Sequence, residues 1–514
     1  MQVAIIAKEE PFFSAEKKFN EMIAKLSSSE MKGKEHGEVE SYVKIEGFEL
    51  LRRMMQSHLD IRSQEEQRAE VIDANVIKMT RVRQTERCLE TLFGKVTIER
   101  LGYSKKAIIS LHPLDGELNL AKDLYSHGIR RLVGQQASKE SFDEVVKSIT
   151  EVSGAQLAKR QVEELAQRAA TDFNEFYETK SVQTQEQVAQ TASLLVLQTD
   201  AKAIVMRKED LREATRKAAQ KRTQKMSKRL SPGEKANAKR MAQVASVYTI
   251  EPYPRTPQQI VNLLQPLTEV ESKRPKPQEK RVWASVQQSA KEVIGQVFEE
   301  GLRRDPEKKK TWVAVVDGNK PQLESLKVFA LHYGVALTIV LDLIHVIEYL
   351  WRAAYVFNDR ESSAAQQWVS ERLTEILLGH SSLVAGGIAR SATLRGLEAQ
   401  QRKAADDCVD YLLNYAPYLR YDQYLAQGLP IASGVIEGAC RYLVKDRMDI
   451  TGARWGLKGA ESVLKLRALR AGGDFDQYWL FHLKKELQRN HKSKYADGHL
   501  PVQPVPVVHF QLVK

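Results

Sequence analysis

The chain has 514 residues, enough for two to four domains. Its content of 42% hydrophobic and 28% charged residues excludes wholesale disorder. Its 78 Lys and Arg residues exceed its 66 Asp and Glu residues by 12, which favours polyanionic partners, although a merely basic cytosolic protein fits the charge equally well. Cys88, Cys408 and Cys440 lack disulfide or zinc spacing, and no apolar run reaches the roughly 18 residues of a membrane span, so we expect a cytoplasmic protein that is not membrane-inserted.

The first 190 residues are predicted to be mostly helical. Polar, amphipathic patterns run through residues 12–87, and we expect an N-terminal helical region over 1–88. In ETLFGKVTIERLGY, two β-prone runs flank Gly94 and Lys95, as a tight hairpin requires. This hairpin is expected to open a second, DNA-binding domain over residues 89–190.

A possible helix-turn-helix unit lies inside that second domain. The stretch SKESFDEVVKSITEVSGAQLAKRQVEELAQ has the pattern of a helix, a turn at Ser153 and Gly154, and a second helix. A helix-turn-helix unit places the start of its second helix in the major groove, which would direct Lys159, Arg160 and Gln161 toward DNA. The alternative is a plain pair of antiparallel helices with a solvated basic patch.

Residues 191–345 are predicted to form the first part of an α/β core. Strand-like runs in SLLVLQTD, MAQVASVYTI, WVAVVD and VALTIVLDLIH alternate with helical patterns, including a helix near 282–303. The basic stretch 207–240 is expected to be an insertion that either lines a DNA channel or is solvated.

The rest of the chain is predicted to be helical up to a C-terminal tail. Residues 346–430 have the composition of a helical insertion, and residues 431–470 resume with a helix. Residues 471–514 are interpreted as the tail, in which PVQPVPVVHF is extended and peripheral.

Two aspartates follow apolar strand patterns directly. Asp200 ends SLLVLQTD and Asp317 ends WVAVVD, and the carboxyl ends of strands in an α/β sheet expose side chains to ligands. A carboxylate there needs a partner, and a divalent cation is one that several acids can share. Taken singly, each aspartate could instead cap a helix.

A third acid, Glu437, lies just inside a helix that Ser433 could cap. Arg441 and Lys445 follow at i+4 and i+8 on the same helical face. This arrangement suits a helix that brings a metal ligand to a phosphate while its next turns hold neighbouring phosphates. The alternative is an ordinary Glu–Arg i,i+4 pair, which contributes about 0.2 to 0.5 kcal/mol.

Several stretches of the chain resemble one family of transposases. They are TLFGKVTIERLGY, LYSHGIRRLVGQQASKESFDEVV, VVDGNKPQ, LDLIHVIEYLW and GVIEGACRYLVKDRMDITGARW. Together they resemble the ISKra-type insertion-sequence transposases, DDE transposases related to the Mutator-like group. The resemblance runs from about residue 91 to about residue 466, and the block 434–455 is its most specific part. It implies a ribonuclease-H-like catalytic core with a helical insertion before the last acid, preceded by mostly helical DNA-binding regions.

The resemblance also assigns catalytic residues. By motif position, Asp200, Asp317 and Glu437 would be the catalytic acids and the ligands of two Mg²⁺ ions, with Mn²⁺ as a substitute. Asp342 and His345 resemble the family's accessory Asp/Cys-x-x-His element, which makes Asp342 the second choice for the middle acid. We interpret His345 itself as a structural hydrogen-bonding residue. The segment AKAIVMRK after Asp200 departs from the glycine-bearing turn that the family pattern implies.

Candidate DNA contacts surround the third acid. Besides Arg441, the residues Lys445, Arg447, Arg454 and Trp455 are expected to grip DNA near the cut, because Arg pairs with phosphate and Trp can stack on an unpaired base. For Trp455 a place in the core is the alternative.

The expected function is that of a bacterial insertion-sequence transposase. It would bind double-stranded DNA at the element's ends, cleave and transfer strands with Mg²⁺, and assemble as a homodimer or larger on DNA in the nucleoid-associated cytoplasm. One alternative is a domesticated DNA-binding protein without catalysis. Another is a ribonuclease-H-like nuclease that acts on structured DNA. No P-loop motif occurs, which argues against an ATP-driven machine.

Overall fold

The structure, a computed structural model, describes residues 10–220, 238–262 and 274–501, apart from residues 181, 183 and 451. The chain divides into two compact units. The first comprises residues 1–178 together with 474–514, and the second comprises residues 179–473. Each unit is described by itself below.

The first unit combines helices with a two-stranded sheet. Its strands β1 (Arg81–Thr91) and β2 (Gly94–Ser104) pair antiparallel. Its helices up to residue 178 are α1 (Phe13–Ser27), α2 (Ser29–Lys32), α3 (His36–Glu65), α4 (Pro113–Glu117), α5 (His127–Ala137), α6 (Phe142–Val152), α7 (Lys159–Ala169) and α8 (Phe173–Glu178).

The predicted hairpin is confirmed, with two corrections. Its turn consists of residues 92 and 93, because Thr91 pairs with Gly94, and Gly94 has the positive φ of 117° that glycine adopts readily. The predicted helical region was wrong after Glu65, where α3 ends, and β1 begins at Arg81. Only Leu89 and Thr91 of β1 are buried, so its charged sequence resembles a helical surface, whereas its pairing with β2 makes it a strand.

Helices α5, α6 and α7 pack together in the first unit around side chains that are almost completely buried. The hairpin turn fixes the connection between α6 and α7, since Gly154 N donates to Leu92 O at 3.0 Å. A Cβ atom at Gly154 would lie only 2.9 Å from Phe93 O, so the close approach requires glycine. The predicted pair of helices therefore exists, and it is anchored on the hairpin.

The second unit contains a mixed five-stranded sheet. The strands are β3 (Leu194–Val205), β4 (Lys239–Ile250), β5 (Gln278–Ser285), β6 (Thr311–Val316) and β7 (Leu337–Leu341). Their order across the sheet is β5-β4-β3-β6-β7. The β5-β4-β3 part is antiparallel, whereas β3, β6 and β7 run parallel.

The second unit also contains the helices that flank this sheet and the helices that follow β7. They are α9 (Gln185–Gln190), α10 (Glu213–Gln220), α11 (Pro257–Asn262), α12 (Ala290–Arg304), α13 (Lys320–Tyr333), α14 (Leu343–Phe357), α15 (Ser363–Leu377), α16 (Ser381–Leu394), α17 (Ala399–Asn414), α18 (Tyr421–Ala426), α19 (Gly434–Ala439), α20 (Asp446–Met448) and α21 (Leu457–Gly472). A π-helical segment, Cys440–Lys445, joins α19 to α20. The last helix, α22 (Phe475–Asn490), belongs to the first unit.

Both faces of the five-stranded sheet are covered, which explains the apolar run at the start of β3. Gln322 of α13 donates its amide to Thr199 O at 2.6 Å, and Trp312 of β6 stacks on Phe298 of α12 with ring centroids 6.1 Å apart. On the opposite face, Asp200 meets Cys440 of the π-helical segment. The fold is thus mixed α/β, as expected, and residues 343–426 carry only helices, as predicted for the insertion.

Some predicted boundaries change. The helix expected near 282–303 is wrong at its start, because β5 continues to Ser285 and α12 begins at Ala290. Within the basic stretch 207–240, residues 221–237 lie outside the described residues. Residues 502–510 of the predicted peripheral tail also lie outside them. None of the helices in the described ranges is long and apolar enough to cross a membrane.

The packing of α12 on β6 generates a stability test. A Cβ atom at Gly301 would lie 2.5 Å from the Trp312 ring, so we expect Gly301→Ala to lower the free energy of unfolding by about 1 to 3 kcal/mol through overpacking. Gly386, inside α16, is the control. Nothing lies within 4 Å of a Cβ there, so Gly386→Ala should raise the same free energy by about 0.5 to 1 kcal/mol. Denaturant titration measures both, and equal effects of the two variants would contradict the packing described.

Candidate catalytic site

Three aspartates fall into one row across the parallel strands β3, β6 and β7. Gln198 pairs with Val315 in the β3–β6 ladder, and continuing that register by two residues sets Asp200 beside Asp317. Val316 pairs with Leu341 in the β6–β7 ladder, so the next row sets Asp317 beside Asp342. Residues of one row on adjacent strands point to the same face of a sheet, with strands about 4.8 Å apart. Continued past their last paired residues, the ladders thus bring the three acids to one edge of the sheet, where Asp317 and Asp342 directly follow β6 and β7.

Asp200 is not at the end of its strand, as the sequence had suggested. Strand β3 continues to Val205 because β4 pairs with it along its whole length, and Asp200 pairs with Val244. Pairing with β6 stops at Gln198, so Asp200 lies in the part of β3 that extends past its parallel neighbour. Asp200 thus lies at an edge of the sheet because the β3–β6 pairing stops before it, and not because β3 ends there.

The Asp200 carboxylate is tied to the π-helical segment. Its Oδ2 lies 3.1 Å from Cys440 Sγ, which donates to it. Burial raises the pKa of the Cys440 thiol well above its ordinary value, and the negative charges of Asp200 and Glu437 raise it further. The thiol therefore keeps its proton at neutral pH, and it can hold the Asp200 carboxylate in place.

Glu437 is exposed on α19 and is linked to Asp342 through one hydroxyl. Ser433 Oγ lies 2.9 Å from Glu437 Oε1 and 2.8 Å from Asp342 Oδ2. Ser433 does occupy the N-cap position, but its side chain makes no capping hydrogen bond to the helix, contrary to the prediction. Because a hydroxyl has a single proton, it donates to one of these carboxylates at a time.

Asp342 is completely buried, and both of its carboxylate oxygens are engaged. Oδ1 accepts from Ser433 N at 2.9 Å and from Ile344 N at 3.3 Å. Oδ2 lies 2.8 Å from Ser433 Oγ and 2.8 Å from His345 Nδ1. Asp342 is thus placed to cap α14 and to hold Ser433 and His345 in position.

Asp317 has the opposite surroundings. It is exposed immediately after β6, and its Oδ1 accepts from Asn319 N at 3.0 Å. Its main chain is held by tyrosines, since Tyr411 OH donates to Asp317 O at 3.3 Å and Tyr415 OH donates to Gly318 O. A fixed backbone with an exposed carboxylate suits binding of an external ligand better than the surroundings of Asp342 do.

The cations after Glu437 differ in accessibility. Arg441, Lys445 and Arg454 are exposed, and Arg441 Nε lies 3.6 Å from Asp446 Oδ1. The predicted α-helical i+4 and i+8 spacing is altered, because residues 440–445 are π-helical. Insertions of this type are frequent at functional sites.

Arg447 and Trp455 are buried, and this does not fit the predicted contact with DNA. The Arg447 guanidinium lies over the Trp455 ring, 4.9 Å from its centroid, and Trp455 Nε1 donates to Met448 O at 2.9 Å. Burial and the nearby Arg467 lower the pKa of Arg447 to about 10. The two side chains pack against each other in the interior, which is the alternative that the sequence left open for Trp455.

The predicted DNA-reading residues of the first unit lie at the start of α7. Lys159 Nζ forms an ion pair with Asp143 at 2.5 Å, and Gln161 Oε1 accepts from Ala158 N at 3.0 Å. Arg160 is the most exposed of the three and lies 3.1 Å from Glu164. The surface of this helix pair thus mixes acids with the predicted cations.

Sequence reasoning missed three residues at the site, namely Ser433 as a bridge, Cys440 and Gln198. Gln198 is 1% exposed on the same face of β3 as Asp200, and neither atom of its amide has a hydrogen-bond partner among the described residues. A buried amide without partners is costly and marks unusual local requirements. The polar Gln198 inside the apolar run LLVLQTD was the signal that could have found it.

The described side chains contain no ready-made metal centre, since no three His, Cys, Asp or Glu residues among them are grouped closely enough to hold an ion. Ser433 instead links Asp342 to Glu437, and Cys440 is hydrogen-bonded to Asp200. Models of known protein families do not match this chain, and neither do curated protein sequences.

The contrast between Asp342 and Asp317 predicts different effects on stability. Asp342→Asn should lower the free energy of unfolding by about 2 kcal/mol or more, because hydrogen bonds to a buried charged group are weakened or lost. Asp317→Asn, at an exposed position, should change it by no more than about 0.5 kcal/mol. Denaturant unfolding of both variants checks this, and a larger loss for Asp317→Asn would reverse the assignment.

A second prediction concerns His345. Its hydrogen bond to Asp342 raises the pKa of the imidazole above its usual 6.5, against the opposing effect of burial. The pair therefore stabilises the folded chain below the ordinary histidine pKa, and this contribution is lost as the pH rises through the raised value. NMR titration of His345 should show a lower pKa in Asp342→Asn than in the wild type. Asp359→Asn, which removes an exposed acid, is the control and should not change it.

Proposed function

We propose that the chain is a DDE-type DNA transposase in which Asp200, Asp317 and Glu437 are the catalytic acids. The observation that carries this proposal is that one helix contacts Asp342 at its start and Asp200 further along. Ser433 ties the start of that helix to Asp342 on the β7 side, and Cys440 ties its continuation to Asp200 on β3. The stretch from Ser433 to Cys440 rises about 10 Å, close to two strand spacings, so this helix carries Glu437 between its contacts with Asp342 and Asp200.

The topology of the second unit supports the same proposal. An antiparallel meander of β3, β4 and β5, extended by the parallel β6 and β7 on the other side of β3, is the arrangement that we expect of a ribonuclease-H-like core. The helices α14 to α18 lie between β7 and Glu437, where the resemblance to ISKra-type transposases requires an insertion.

The residues of the row fit Mg²⁺ by their chemistry, because hard carboxylate oxygens are its preferred protein ligands. Asp200, Asp317 and Glu437 would hold the metal, with Mn²⁺ as a substitute. When bound, two Mg²⁺ ions would supply activation of the attacking oxygen and stabilisation of the leaving oxygen at the scissile phosphate. Asp317 and Glu437 are exposed, so their side chains can rotate toward Asp200 without disturbing the core.

The protein's own groups have distinct tasks in this scheme. Cys440 holds Asp200, and the Asp342–Ser433 pair orients Glu437. Arg441, Lys445 and Arg454 would contact phosphates on either side of the cut. The partner would be double-stranded DNA at the element's ends in a bacterial cytoplasm, and joining two ends requires at least a dimer on DNA.

The test compares two glutamates of the second unit. Glu437→Gln should bind DNA carrying the element's ends as the wild type does and should lose Mg²⁺-dependent strand cleavage by a factor of at least about 10² to 10³, as expected for loss of a group that stabilises developing charge. Glu324→Gln, which removes an exposed carboxylate from α13, is the control and should cleave at the wild-type rate.

Gel-based cleavage and binding assays on the same preparations separate the outcomes. Wild-type cleavage by Glu437→Gln would refute the assignment of the third acid. DNA binding without Mg²⁺-dependent cleavage by the wild-type chain would favour the alternative of a non-catalytic DNA-binding protein. Cleavage of branched DNA in preference to element ends would favour a structure-specific nuclease.

A further inference from the structure

A small polar cavity lies in the first unit, among residues far apart in sequence. Its volume is about 100 Å³, and its walls include Arg87 of β1, His112, Asp115 of α4, Lys122 and Lys494. A cavity of this volume can accommodate a small tetrahedral oxyanion. None of the catalytic acids proposed above belongs to this unit.

Positive charge dominates the cavity wall. Three cations, Arg87, Lys122 and Lys494, face a single acid, Asp115. That acid is already matched, because Arg100, which does not line the cavity, lies 2.5 Å from Asp115 Oδ1. Within the described part of the chain, Lys122 and Lys494 have no ion-pair partner closer than 4 Å.

Arg87 is held in place by two main-chain carbonyls and by the Asp115 carboxylate, which it shares with Arg100. Arg87 Nη2 donates to Asp123 O at 2.6 Å and also to Ala121 O, while Arg87 Nη1 is 3.4 Å from Asp115 Oδ2. This fixes the guanidinium at the wall before any ligand arrives. A guanidinium that is already fixed in position is what oxyanion sites use.

The cations also crowd one another. Burial lowers the pKa of Lys494, and the positive charges of Lys122 and Arg87 lower it further. Burial, aided by Arg100, lowers the pKa of His112 to about 4, so this imidazole is neutral at physiological pH. Like charges held around a cavity are unfavourable until an anion enters.

We propose that this cavity is a binding site for one phosphate group. Arg87, Lys122 and Lys494 would surround its oxygens, and the neutral His112 could donate an additional hydrogen bond. The ligand is either free inorganic phosphate or a single phosphodiester of a nucleic-acid backbone, and both present the same oxygens to the site. The walls of the cavity come from residues 87–122 and from residues 490–495. A bound phosphate would therefore also link these two segments.

Calorimetric titration of the full chain with inorganic phosphate, at constant ionic strength set with chloride, tests the site. Lys494→Gln and Lys122→Gln should each weaken phosphate binding roughly tenfold or more, the factor expected for one charge-assisted hydrogen bond. Lys484→Gln removes the same charge from an exposed position on α22 away from the cavity and should bind as the wild type does. Thermal unfolding of each variant without phosphate verifies that it is folded.

A second arm measures binding of the same variants to a duplex of arbitrary sequence. If Lys494→Gln weakens phosphate binding and leaves duplex binding unchanged, the site takes free phosphate. If both fall and phosphate competes with the duplex, the site takes a backbone phosphodiester. Equal phosphate binding by wild type, Lys494→Gln and Lys122→Gln, or none by the wild type, would overturn the proposal. None of these readouts involves strand cleavage, so they stand apart from the test of Glu437.

Discussion

The parallel ladders of β3, β6 and β7 are the constraint on which the candidate site depends. Their register, continued by one or two residues past the last paired positions, sets Asp200, Asp317 and Asp342 side by side at one edge of the sheet. A slip of one residue in either ladder would turn an acid to the opposite face, because side chains alternate along a strand. The buried apolar residues before each acid therefore do more than fill the core, since their packing fixes where the carboxylates emerge.

Within that row, solvent exposure separates two acids that look alike in the sequence. A buried carboxylate is tolerated only when its oxygens are hydrogen-bonded, and Asp342 meets this requirement through Ser433, His345 and its own helix. Asp317 has an exposed carboxylate on a main chain fixed by two tyrosines. The same row thus contains one acid that holds the structure and one that remains accessible, which favours Asp317 as the middle catalytic acid in the proposed scheme.

Local patterns predicted the strands that lead into Asp317 and Asp342, because an apolar run followed by an acid is visible in a short window. They misplaced the end of β3, since two charged residues interrupt its apolar pattern and its second half is paired only with β4. The second half of β5, from Val282 onward, was taken as the start of a helix, although its pairing with β4 makes it a strand. No local pattern could show that Ser433 would bridge two carboxylates or that α22 would join the first unit, because both depend on contacts between residues distant in sequence.

The acid Glu437 and the cations after it lie on one continuous helical segment, which is π-helical rather than α-helical from Cys440 to Lys445. Glu437 and Cys440 are three residues apart and so share one helical face, which lets the helix present the acid while Cys440 reaches Asp200. The π-helical segment begins at Cys440, and through it Leu443 and Val444 remain buried while Arg441 and Lys445 remain exposed. Any movement of this helix would therefore move the acid and the exposed cations together. If DNA binds these cations, its phosphates would act directly on the position of Glu437, and substrate binding would help to assemble the acid row.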